Sequence, residues 1–68
     1  MNEEVLNTSV RRFLKKVGIT SQREIEKSVR EAVARGRLKG NEALPARMTL
    51  SVGQIDLALE IDGAIELE

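Results

Sequence analysis

Cysteine and histidine are both missing from this 68-residue chain, and Phe13 is the single aromatic residue. Without cysteine there is no disulfide and no thiolate metal site. Without histidine, the commonest general base and the commonest zinc ligand are gone. The lack of Trp and Tyr removes base-stacking platforms and aromatic cages. No apolar run approaches the roughly 18 residues of a membrane span. The amino end, Met1-Asn2-Glu3-Glu4, is acidic where a secretory signal is basic and then apolar. These absences speak against enzyme chemistry. The chain is expected to be non-catalytic, to carry no cofactor or metal, to act on no small-molecule substrate and to stay off membranes, in the cytoplasm.

What remains is a globular composition, 41% hydrophobic and 32% charged, at a length that suits one domain spanning residues 1–68. A domain near 60 residues buries only about 60% of the surface its unfolded chain exposes. Such a chain folds with a small margin or gains its margin from a partner.

Helical periodicity comes first. Val5, Leu6, Val10, Phe13, Leu14 and Val17 share one face at a period of 3.6, with Asn2 as N-cap and Glu3 and Glu4 in the first turn. Lys15 and Lys16 then sit near the end, and Gly18 reads as the left-handed residue that closes a helix over about 3–17. Ser21-Gln22-Arg23-Glu24 matches the S-x-x-E capping box, which opens a second helix over about 22–35. Its buried stripe is Ile25, Val29, Ala32 and Val33, and Gly36 ends it.

The period then changes to two. Met48, Leu50 and Val52 alternate with Thr49 and Ser51, and Ile55, Leu57, Leu59 and Ile61 alternate with Asp56, Ala58 and Glu60. Gly53-Gln54 fits a two-residue turn, pairing Val52 with Ile55, Leu50 with Leu57 and Met48 with Leu59. A loop at Asp62-Gly63-Ala64 leads to a third strand, which sets Ile65 against Ile61 and Leu67 against Leu59. Strands over about 46–52, 55–61 and 64–67 follow. The expected fold is α+β, two amphipathic helices covering one face of a three-stranded antiparallel meander, in the order ααβββ.

Charge is unevenly spread. Residues 1–47 hold all 11 bases and six acids, while residues 48–68 hold five acids and no base. Arg11, Arg12, Lys15 and Lys16 form the candidate anion or nucleic-acid contact, with like charges at i,i+4 that repel mildly. Arg35, Arg37 and Lys39 are possible supplements. Two helices before a hairpin are similar to part of a winged helix-turn-helix domain, in which Gln22, Arg23, Lys27 and Arg30 read base edges and Glu24, Glu26 and Glu31 repel the backbone. Neutral overall charge and missing aromatics weigh against that use, so no nucleic-acid binding tighter than roughly 100 μM is expected at physiological salt. On the outer sheet face, the expected register places Arg47 opposite Glu60 and Glu60 opposite Glu66. This reads as a solvated charged face and not as a metal or acid–base pair.

The run from Arg12 to Lys27, Phe-Leu-Lys-Lys-Val-Gly through Ser-Gln-Arg-Glu-Ile-Glu, with Leu38-Lys39-Gly40-Asn41-Glu42 and Met48-Thr49-Leu50, resembles the short bacterial proteins grouped as DUF6494. The resemblance extends over nearly the whole chain. It implies a small, free-standing cytoplasmic bacterial protein, and it implies no activity and no functional residues. The leading expectation is a non-catalytic interaction module that binds a protein partner or itself, most simply as a homodimer. The alternative is a nucleic-acid-binding domain that uses the basic helical layer.

Overall fold

The computed structural model describes all 68 residues. They divide into two compact units, residues 1–37 and 38–68. The first is a single helix, α1, Glu3–Ala34. The second is a two-stranded antiparallel hairpin of β1, Ala43–Val52, and β2, Leu57–Glu66, joined through a short 3₁₀ turn at Gly53–Ile55.

Helix α1 begins as its sequence directs. Asn2 stands in extended conformation, and its Oδ1 accepts from the amides of Glu4 at 2.9 Å and Val5 at 3.1 Å. Two of the first-turn donors that have no intrahelical acceptor are thereby satisfied. The helix ends at Gly36, whose φ of 76° is left-handed. Its amide donates to the carbonyl of Val33 at 3.1 Å, and the Arg37 amide donates to that of Ala32 at 2.9 Å. This is the Schellman pattern, and it uses carbonyls that the last turn leaves free.

Between these ends the expected break is absent. Helices 3–17 and 22–35 are one helix, and both Gly18 and Ser21 lie inside it. Gly18 has no positive φ, and Ser21 caps nothing. The physical reason is a comparison of costs. A glycine in a helix interior costs about 1 kcal/mol relative to alanine. Stopping and restarting would instead expose up to four carbonyls and four amides and require a second nucleation. The apolar phase also runs through the join: Leu6, Val10, Phe13, Val17, Ser21, Ile25, Val29 and Ala32 follow one another at spacings of three or four. Continuity is the cheaper solution.

The meander is also corrected, to a hairpin. Val52 pairs with Leu57, Leu50 with Leu59 and Met48 with Ile61, so β2 is displaced by two residues from the expected pairing. The turn is longer than Gly53-Gln54: it takes in Ile55 and Asp56, with Asp56 left-handed at φ 52° and its amide donating to the Gly53 carbonyl at 3.2 Å. No third strand forms. Asp62 and Gly63 continue β2, opposite Arg47 and Ala46, and the pairing extends to Glu66 opposite Ala43. The Leu67 amide still reaches the Glu42 carbonyl at 3.0 Å. Because a shift of two preserves side-chain parity, the apolar face survives intact: Leu44, Ala46, Met48, Leu50 and Val52 against Ile65, Gly63, Ile61, Leu59 and Leu57.

No side chain in either unit is buried. The expected burial of Ile25, Val29, Ala32 and Val33 does not occur: Ile25 and Val33 are exposed, and Val29 and Ala32 are only half-buried.

Candidate functional site

Helix α1 places Arg11, Arg12, Lys15 and Lys16 on consecutive turns, so the four expected residues do come together, all exposed. At the helical neighbours of each, three and four positions away, there is no acid. None of the four takes part in an ion pair; the two salt bridges in the structure both belong to Arg47. The 11/15 and 12/16 pairs therefore repel without local relief, at a cost of about 0.2–0.5 kcal/mol each.

The unbroken helix extends this surface in a way that two helices would not. At about 100° per residue, Arg12, Lys16, Arg23, Lys27 and Arg30 fall within an arc of about 60°. The row runs for about 27 Å along the axis at 1.5 Å per residue. Ile19 and Thr20 fill its central gap, and Ser9 adds a hydroxyl near its start. Glu26 and Glu31 flank the row on either side, and no acid lies within it. Gln22, another expected contact, turns away and donates to the Glu26 carboxylate at 3.4 Å. Arg35 is the C-cap residue, and Arg37 and Lys39 lie beyond the helix, so these three do not extend the row. The second helix and the turn before it are absent, and with them goes the winged-helix comparison.

The other surfaces are apolar. On α1, Phe13 is 52% exposed and Leu14 53%, and Phe13, Val17 and Ser21 share an open recess with Lys16 and Thr20. On the hairpin, Ile61 is 58% exposed. A helix face and a sheet face thus both leave large apolar side chains exposed or only half-buried.

The opposite face of the hairpin is polar. Arg47 lies across from Asp62, and its Nε donates to Asp62 Oδ1 at 2.7 Å while Nη1 meets Glu60 Oε2 at 2.9 Å. The expected Glu60–Glu66 juxtaposition is not formed: both residues are in β2, about 20 Å apart at 3.3 Å per residue. Thr49 lies opposite Glu60 and Ala43 opposite Glu66. No group of three carboxylates, cysteines or histidines is placed to hold a metal ion. In the loop before β1, the Glu42 carboxylate accepts from three successive amides, those of Lys39 at 2.8 Å, Gly40 at 2.9 Å and Asn41 at 3.2 Å. The Lys39 amide, then that of Gly40, holds the Glu42 carboxyl below its ordinary value against a smaller effect of desolvation. Gly40-Asn41 marks this turn in the sequence, and the Glu42 carboxylate that organises it is the part sequence reasoning missed. No helix is long and apolar enough to cross a membrane.

A family model described as "Family of unknown function (DUF6494)" matches residues 1–68, the whole chain. No curated protein and no solved structure matches it.

Proposed function

We propose that this chain, which belongs to the DUF6494 family, is a non-catalytic interaction module whose first partner is a second copy of itself. One observation carries this reading: within its own unit, neither the helix-long apolar stripe nor the ten-position apolar hairpin face buries a side chain. Apolar surface left in water forfeits about 25 cal/mol per Å². A chain of this size without a disulfide or metal has no other large source of stability. A second copy supplies the missing cover, because it brings the same two faces.

Charge favours a like partner. Residues 1–37 carry nine bases and five acids, net +4, and residues 38–68 carry two bases and six acids, net −4. A copy of the chain is complementary to each unit, and a two-fold arrangement satisfies both at once. The hairpin contributes open edges as well, with few guards beyond Pro45 and Arg47.

The test is mass against concentration by light scattering from 10 μM to 1 mM. Val17→Lys on the helix stripe and Leu50→Lys on the hairpin face should each shift the protein toward monomer and lower its melting temperature. If both variants keep the mass of the unaltered chain, the faces are not the contacts and the reading fails.

A further inference from the structure

We infer that the cation row of α1, an arc free of acids between Glu26 and Glu31, is a binding surface for the phosphate backbone of duplex nucleic acid. Five of the helix's seven cations, Arg12, Lys16, Arg23, Lys27 and Arg30, lie in one arc, and none of its five acids does. No intramolecular ion pair neutralises any of them. Arg12 and Lys16 stand at a helical contact spacing with no acid three or four positions away, so their repulsion is unrelieved, whereas Arg23, Lys27 and Arg30 have Glu24, Glu26 and Glu31 at such spacings. A regular polyanion turns that repulsion into attraction and releases its condensed counterions in doing so.

The shape of the row selects the ligand. Arg12–Lys16 and Arg23–Lys27 each rise about 6 Å along the axis. That is close to two steps along one strand of a duplex at about 3.4 Å each. The hydroxyls of Ser9 and Thr20 at its margin are of the kind that donate to phosphate oxygens. Single strands are disfavoured, because Phe13 is the one aromatic and a lone ring offers no run of stacking surfaces. A bilayer is the competing occupant. The row lies about 150° from the mean direction of the apolar stripe at 100° per residue, and an interfacial helix likewise carries its cations opposite its apolar face. Anionic vesicles therefore form the second arm of the experiment. No side chain is arranged to read base edges specifically, so the contact is one of backbone and charge.

Five phosphate contacts give a salt slope of about −4.5, which is a loss of roughly 500-fold between 50 and 200 mM salt. The experiment is fluorescence anisotropy of a labelled 20-base-pair duplex titrated with the full chain. Micromolar binding at 50 mM salt, weakening by about that factor at 200 mM, is expected. Arg23→Gln/Lys27→Gln should flatten the slope to about −2.7 while circular dichroism keeps the helix signal. Lys39→Gln, off the helix, should change affinity less than threefold. Binding weaker than 100 μM at 50 mM salt, or a slope that the Arg23/Lys27 pair leaves unchanged, would overturn the assignment. So would capture by phosphatidylserine vesicles without duplex binding, which would make the surface a membrane contact. The mass measurement above is separate: the row can fail while self-association holds, and the reverse.

Discussion

Three single residues hold local structure that no core supports. Glu42 spreads its carboxylate over three amides, and its lowered pKa means that the charged form favours the folded loop. The folded value lies below the unfolded one, so this contribution is full above the ordinary carboxylate range and is lost as pH falls through the lowered value. Thermal melts should show Glu42→Gln less stable than the parent at neutral pH, with the gap closing in strong acid; a constant gap would show that the charge is irrelevant. Asp56 occupies a left-handed conformation in the hairpin turn. Asp56→Val should cost about 1–2 kcal/mol in chemical denaturation, and Asp56→Gly should cost nothing or stabilise. Arg47 bridges Glu60 and Asp62, but it is exposed, so Arg47→Ala should cost no more than about 1 kcal/mol and less at high salt.

At the scale of elements, Gly18 separates two accounts of the chain. As a left-handed helix end it would resist a side chain; inside α1 it has no positive φ, and a Cβ would meet nothing within 4 Å. Gly18→Ala should therefore stabilise by about 0.5–1 kcal/mol and raise the helix signal in circular dichroism, whereas destabilisation would restore a break at that point. The ends of α1 were legible because Asn2 and Gly36 each perform a task few other residues can. The middle misled because Gly18 and the Ser21–Glu24 box look like punctuation, and such signals act only where a helix has a reason to stop. In the hairpin, alternation showed which side chains share a face but not the register, since a shift of two keeps apolar opposite apolar. The same alternation continues through Leu57, Leu59, Ile61, Gly63 and Ile65, so reading Asp62-Gly63 as a turn set composition above period. The cation cluster was visible from i,i+4 spacing alone. Its extension to Arg30 was hidden by the supposed break, because the phase of Arg23, Lys27 and Arg30 relative to Arg12 exists only if one helix joins them.

For the whole molecule, the dominant fact is the absence of a buried side chain beside so much apolar surface. Local devices such as the Asn2 cap and the Schellman turn contribute about a kilocalorie apiece, which does not offset the conformational entropy of ordering the chain. On the self-association proposed above, a second copy supplies the missing contacts, and the melting temperature should rise with protein concentration. The most direct measurement is sedimentation equilibrium on the unaltered chain across 10 μM to 1 mM. Self-association predicts a mass near twice 7.6 kDa at the upper end, falling toward 7.6 kDa on dilution together with the loss of helix signal. A mass that stays at 7.6 kDa throughout, with a cooperative melt that ignores concentration, would contradict it.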